Sequence, residues 1–202
     1  MKNLFLLITI LLAGICTNAQ KIDDCYINTR TGDTILTTLW ENVVYTDENL
    51  LTLRMVKQNS SFYIEFKFNF GKSPSFSITR NDSVWLKFTD NLTLSLYSVD
   101  SVTSQRGMAA CSVSPKGLTT QGITARYNLT FLQVMILQSQ EIEKVRIFTS
   151  RGFDNIMIPK SQRKSIMGSA ELITRRVDQY LRVSITDKQN KKVSEEPKDT
   201  SW

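Results

Sequence analysis

The sequence predicts an α+β domain in which antiparallel β-hairpins form a sheet or sandwich packed against a C-terminal amphipathic helix. Residues 62–70 place an apolar side chain at every second position, the period of a strand with one buried face. Short turn sequences recur between such runs, as in a chain of hairpins. Apolar residues near the C-terminus recur at spacings of four, three, four and four, which puts them on one side of a helix. That stripe consists of Ile166, Ala170, Ile173, Val177 and Leu181.

Two hairpins open the predicted domain. The first covers residues 25–40 and turns at Gly32, which can adopt the positive φ that a tight turn needs. The second covers residues 51–70 and turns at Asn59. We interpret the apolar row of its second strand as facing the core, and an exposed aromatic platform for sugars or peptides is the alternative. The row consists of Phe62, Ile64, Phe66, Phe68 and Phe70.

The remaining elements follow in order. A third hairpin covers residues 84–96 and turns at Asp90-Asn91, and residues 100–120 are expected to form the longest loop. Thr130 is predicted to cap a short helix over residues 131–138. A strand is predicted at residues 123–129, and two strands at residues 143–149 and 153–158 are predicted to close on the turn at residues 150–152.

The N-terminus has the features of a secretory signal peptide. Lys2 precedes the uncharged run Leu4–Ile15, and Ala19 ends a Thr-Asn-Ala cleavage site. As a helix the run would span roughly 18 Å, less than the bilayer core of about 30 Å. We therefore expect cleavage after Ala19, no transmembrane helix in the mature chain, and a periplasmic or secreted product. Lipid attachment at Cys16 fits less well, because Ile15 stands where a small residue is needed.

Length and composition limit the architecture. Of the 202 residues, 1–19 are assigned to the signal peptide, and residues 21–183 suit a single domain. Residues 187–202 are mostly polar and charged, and we predict a disordered tail there.

Several chemistries are excluded by residue type. The chain has no histidine, which rules out imidazole catalysis, and three cysteines are too few for a four-thiolate zinc site. Ser161 and Lys164 match the Ser-x-x-Lys motif of penicillin-binding enzymes, but the accompanying motifs are absent and Ser161 suits the N-cap of the last helix. No catalytic residue, metal site or cofactor is predicted. Two separated carboxylates would suffice for glycoside hydrolysis, and the sequence identifies no such pair.

The positive charge is concentrated near the C-terminus. The net charge is +6, and residues 160–182 contain six basic and two acidic side chains. This helix could dock an anionic envelope protein or polymer, whereas nucleic acid is an implausible partner for an exported chain. The alternative is a solvated face, since Glu171–Arg175 is an ion pair at helical spacing. The candidate docking residues are Lys164, Arg175, Arg176 and Arg182.

Two stretches carry a resemblance to a known group of proteins. Residues 83–94 resemble the hydrophobic-Phe-Asp-Gly-Thr-Leu-x-Leu hairpin of small secreted Bacteroidetes proteins, with Asn91 in place of the usual glycine. The run Tyr127–Thr130 and then Ile142–Ile147 are similar to the continuation in those proteins. The resemblance covers residues 83–158 and implies an exported α+β domain of unknown function, with no active site to carry over.

These observations favour a non-catalytic exported module that binds an envelope protein or a surface polymer. The alternative is a carboxylate-dependent hydrolase that acts on carbohydrate.

The first prediction concerns Cys25 and Cys111, which export would place in an oxidising compartment. We predict a disulfide between them, with two independent buried thiols as the alternative. Thiol titration of the unfolded, unreduced mature protein should find no free thiol. Two titratable thiols would exclude the bridge.

Overall fold

The computed structural model describes residues 22–45, 49–70, 74–106 and 121–175, which form antiparallel sheets and two α-helices. This is the α+β fold that the sequence predicts. The strands are β1 (Ile22–Ile27), β2 (Thr34–Thr38), β3 (Glu41–Tyr45), β4 (Asn49–Gln58), β5 (Ser61–Phe70), β6 (Ser77–Ile78), β7 (Ser83–Phe88), β8 (Thr93–Tyr97), β9 (Val102–Thr103), β10 (Gln105–Arg106), β11 (Gln121–Leu129), β12 (Ile142–Thr149) and β13 (Gly152–Met157). The helices are α1 (Phe131–Ser139), a 3-10 helix (Lys160–Gln162) and α2, which is helical over residues 165–175.

Strand β5 lies at the centre of the larger sheet. It pairs with β4 along its whole length and with β11 from Phe62 to Phe70. Its apolar side chains Phe62, Ile64, Phe66 and Phe68 are buried, which confirms that this row faces the core. The side chain of Phe70 lies outside the described part of the chain. The alternative of an exposed aromatic platform on this strand is therefore wrong for the four described members.

The larger sheet has the strand order β1-β2-β4-β5-β11-β10, with β3 as a further neighbour of β4. Strand β4 is long enough to accept β2 at one end and β3 at the other end of the same edge. The sequence did not predict β3. Its register against β4 shifts between Asn42 and Val44, so both Val43 and Val44 are buried and the alternation that marks a strand is lost.

The smaller sheet has the order β13-β12-β7-β8, and β6 pairs with β9 separately. The hairpins predicted around Asp90-Asn91 and residues 150–152 are both present, and Asn91 adopts a φ of 71°. A backbone bridge between Ser98 and Tyr127 joins the end of β8 to β11. The predicted loop at 100–120 was wrong in its first part, where β9 and β10 pair with β6 and β11. Residues 107–120 lie outside the described ranges.

Both helices contribute to the core. Thr130 caps α1 as predicted, because its hydroxyl accepts from Gln133 N and the Gln133 side chain accepts from Thr130 N. In α2 the described members of the stripe, Ile166, Ala170 and Ile173, are buried in the same apolar cluster as the sheets. Val177 and Leu181 lie beyond the described residues. No helix in the described ranges is long and apolar enough to cross a membrane.

The prediction that Ser161 caps the last helix is wrong. Ser161 belongs to the 3-10 helix, whose N-cap is Pro159, and α2 starts at residue 165. The cause is a tertiary contact, since Ile142 N donates to the carbonyl of Arg163 at 3.3 Å and ties this turn to β12 before the helix begins.

An ionic ladder crosses the face of the larger sheet opposite the phenylalanine row. The register aligns Arg54, Glu65 and Arg126 on three adjacent strands. Glu65 is buried and accepts from Arg54 Nε at 2.7 Å and from Arg126 Nη2 at 2.5 Å. The Trp40 ring lies against Arg54 and Lys67, whose charged groups are 4.6 and 3.9 Å from its centre. The carboxylate is thus held between two guanidinium groups.

We predict that Glu65→Ala lowers the free energy of unfolding by about 3 kcal/mol, because it leaves two partly buried cations without their shared acid. Glu171→Ala is the matched control. It removes the acid of the surface pair with Arg175, and such pairs contribute about 0–1 kcal/mol. Urea unfolding of both variants measures the difference, and equal losses would contradict the structural role of Glu65.

A second polar cluster joins the tips of the first two hairpins. Asp33 accepts hydrogen bonds from Asn59 Nδ2, Gln58 Nε2 and Thr31 Oγ1 at 2.5, 2.8 and 2.9 Å. These bonds, the one from Asn59 first, lower the pKa of Asp33 below its ordinary value. Asn59 has a φ of 53°, and its N–H donates to the Thr34 carbonyl at 2.9 Å.

The lowered pKa of Asp33 predicts how the stability of the protein depends on pH. Because the folded state favours the ionised carboxylate, the stabilisation is full above the unfolded pKa of about 3.9 and is lost as pH falls through the lower folded value. Asp33→Asn should therefore be less stable than the parent at neutral pH, and the difference should disappear in acid. Denaturant midpoints across this range test it, and a difference independent of pH would refute it.

Candidate binding face on the four-stranded sheet

The smaller sheet has one buried face and one face open to solvent. Val84, Leu86 and Phe88 of β7 are buried, and so are Val145 and Ile147 of β12. The residues between them, with those aligned on β13 and β8, point the other way. We call this outward set the basic–aromatic face. Its members are Phe153, Asn155 and Met157 of β13, Lys144, Arg146 and Phe148 of β12, Trp85 and Lys87 of β7, and Thr93, Ser95 and Tyr97 of β8.

Three aromatic rings form a continuous row on this face. The ring centres of Trp85 and Phe148 are 5.0 Å apart, and those of Phe148 and Phe153 are 6.0 Å apart, with tilts of 58° and 51°. Trp85 is 38 % exposed and Phe153 is 55 % exposed. These distances are within the range of favourable aromatic pairs, so the rings hold one another in position while part of each meets water.

Arg146 is fixed between the two ends of the aromatic row. Its guanidinium carbon is 5.5 Å from the centre of Trp85 and 4.7 Å from that of Phe153. Its Nε donates to Asn155 Oδ1 at 2.8 Å. The two rings and this bond hold the guanidinium in place, and among the described residues Arg146 forms no ion pair with an acid.

Two lysines extend the positive charge along the sheet. Lys144 and Lys87 lie directly opposite each other on β12 and β7. Lys87 Nζ is 3.8 Å from Glu143, whereas Lys144 has no acidic partner among the residues that the structure describes. Like charges placed opposite each other on adjacent strands disfavour the pairing. The face therefore carries an unneutralised positive charge beside its aromatic row.

The register of β12 explains how Glu143 comes near Lys87. Ile142 pairs with Phe88 and Lys144 with Lys87, so Glu143 is an extra residue in β12. This bulge keeps Ile142 and Val145 on the buried face. Glu143 also lies 3.5 Å from Arg163, which links the sheet to the turn before α2.

Tyr97 and Met157 complete the face at opposite corners. They are 62 % and 58 % exposed. With strands about 4.8 Å apart and about 3.4 Å per residue along each strand, the face measures roughly 14 Å by 14 Å.

The predicted docking residues on the last helix do not form one described patch. Lys164 precedes α2 and lies 3.3 Å from Glu141, whereas Arg175 is 2.5 Å from Glu171, as its spacing predicted. The two basic residues are separated by roughly 16 Å along the helix axis. Arg176 and Arg182 lie outside the described ranges, so docking at the helix stays a prediction.

The predicted disulfide is also untested by the structure. Cys25 is exposed on β1, and Cys111 lies outside the described ranges, as do the signal peptide with Cys16 and the tail. Partial burial and then Asp24 raise the pKa of the Cys25 thiol, which disfavours the nucleophilic thiolate.

The described carboxylates give the hydrolase alternative little support. Glu65 lies between two arginines, Glu143 is near Lys87 and Arg163, and Glu141 is near Lys164. Each of these carboxylates therefore already lies beside a cation of the protein, whereas hydrolysis needs two carboxyl groups that flank a glycosidic bond. The members of the basic–aromatic face include no aspartate or glutamate, and Glu143, which lies 3.8 Å from Lys87, is the acid beside it.

Sequence reasoning did not identify this face. In the sequence Trp85 and Lys87 alternate with Val84, Leu86 and Phe88, which indicates a strand but assigns no role to its outward residues. The signal exists only once β7, β12 and β13 are aligned, because the aromatic row takes one residue from each strand.

Comparison of the chain with protein-family models, curated proteins and solved structures gives no match.

Proposed function

We propose that this protein is an exported, non-catalytic module that binds a polysaccharide of the bacterial envelope through the basic–aromatic face. The observation that carries the proposal is the exposed row of Trp85, Phe148 and Phe153 with Arg146 fixed beside it. Sugar rings present flat C–H surfaces, and burying them against aromatic rings removes apolar area from water. The signal-peptide features at residues 1–19 support export, and residues 83–158, which resemble small exported Bacteroidetes proteins, include all four strands of this sheet.

The composition of the face favours a polymer over a folded protein partner. Protein interfaces are enriched in aromatic residues and arginine but depleted in lysine, and Lys87 and Lys144 lie within this face. Asn155, Ser95 and Thr93 add short polar side chains that can bond sugar hydroxyls. An open sheet face also suits an extended chain better than a small ligand, which usually occupies a concave pocket.

The hydrolase alternative is less consistent with the same site. Hydrolysis of a glycosidic bond uses two carboxyl groups that flank the bond. The aromatic surface where a sugar would stack supplies none. The face can therefore hold a polymer without cleaving it.

The experiment is affinity electrophoresis in native gels that contain polygalacturonate, its methyl ester, dextran or xylan. We expect retardation by at least one polysaccharide, weakened roughly tenfold in Phe153→Ala, which corresponds to about 1.4 kcal/mol. Phe131→Ala is the matched control, because Phe131 is 59 % exposed on α1 and Phe153 is 55 % exposed on the face.

If Phe131→Ala weakens binding as much as Phe153→Ala does, the binding site does not lie on this face. If none of the four polysaccharides retards the protein and the face cross-links to an envelope protein, the partner is a protein and not a polymer. Circular dichroism melting checks that both variants remain folded.

A further inference from the structure

The aromatic row by itself does not account for the positive charge on the basic–aromatic face. Neutral sugars would be bound by Trp85, Phe148 and Phe153 without Lys144 or Arg146. Instead, the two cations lie two residues apart on β12, on the same side of the strand and roughly 7 Å from each other along it. Lys87 lies next to Lys144 across the strand pair. The three positive groups therefore lie beside the aromatic row, and Lys144 and Lys87 are displaced from it along the strands.

Arg146 is positioned to bind an anion with two oxygens. Its Nε is taken by Asn155 Oδ1, and its plane is fixed by the rings on both sides. The terminal Nη1 and Nη2 groups remain as two N–H donors, and the fork that they form matches the two oxygens of a carboxylate. In the described ranges no aspartate or glutamate occupies that position.

The facing lysines give a second, independent indication. Lys87 and Lys144 are direct neighbours on adjacent strands, an arrangement that disfavours the pairing of β7 and β12. Glu143 lies 3.8 Å from Lys87 and offsets part of this repulsion, and a negative group bound beside Lys144 would offset the rest. Binding of an anion at this place should therefore also stabilise the fold, because the ligand binds the folded state alone.

We infer that the polysaccharide bound at this face is acidic and carries carboxylate groups on its sugars, with Arg146 and Lys144 as the residues that select them. This inference rests on the proposed function and specifies its ligand class. The aromatic row would contact the sugar rings, and the side chains of Arg146 and Lys144 would bind the carboxylates.

The test compares polygalacturonate with its fully methyl-esterified form, which has the same backbone and no charge. We expect the acid to bind at least tenfold more tightly than the ester, and added salt to weaken the binding. We also expect polygalacturonate, but not the ester, to raise the melting temperature of the protein.

Variants assign this preference to the face. Arg146→Gln and Lys144→Gln should each reduce the preference for the acid by roughly fivefold or more, whereas Lys164→Gln, which removes an exposed lysine near α2, should leave it unchanged. Lys144→Gln should melt no lower than the parent without ligand, because it removes a like-charge contact. Its loss of binding then cannot come from unfolding.

The outcomes separate the two proposals. Equal binding of acid and ester, lost in Phe153→Ala, would overturn the carboxylate specificity and leave the polysaccharide-binding function standing. Binding of neither polygalacturonate nor its ester would overturn the specificity, and the dextran and xylan gels would then decide the function. A loss in Lys164→Gln equal to that in Lys144→Gln would show general charge attraction and refute the site.

Discussion

The alternation of β5 between two incompatible environments fixes the arrangement of the larger sheet. One side of this strand places phenylalanines in the apolar core, and the other places Glu65 between Arg54 and Arg126. A slip of one residue against β4 or β11 would move the carboxylate into the core and the aromatic rings among the arginines. Both faces therefore select the same register. The desolvation of buried charges offsets much of the attraction within the intact ladder, whereas loss of Glu65 alone would leave its two arginines without their shared acid.

The basic–aromatic face follows from that register through β11. Once β11 is aligned with β5, Tyr127 bridges Ser98, and the N–H of Val99 donates to the Arg126 carbonyl at 2.8 Å, which attaches the end of β8 to the larger sheet. The smaller sheet then turns one side of β7 and β12 into the shared core. Its other side has no apolar layer to meet among the described elements, and the basic–aromatic face lies there. The same two-residue period thus produces both the core and the candidate site.

Local sequence patterns predict much of the fold but little of the candidate site. The phenylalanine row, the turn at Asn91 and the cap at Thr130 each depend on neighbouring residues, and each was predictable from sequence. Strand β3 was missed because its bulge breaks the alternation, and the start of α2 was misplaced because a bond from β12 holds the preceding turn. The face depends on pairing between strands that are distant in sequence, which no local pattern encodes. Basic residues clustered in the sequence suggested the last helix instead, where Lys164 and Arg175 each lie beside a glutamate.

The bulge at Glu143 has an evolutionary consequence. Because this residue is extra to the pairing of β12 with β7, its deletion would leave Ile142 facing inward and Lys144 facing outward, as they do now. Any other single deletion between Lys144 and Phe148 would exchange the two sides of the strand beyond it. A deletion at this one position of β12 would therefore keep the same outward residues at the cost of the bond from Ile158 N to the Glu143 carbonyl, whereas a deletion elsewhere in the strand would remove part of the face.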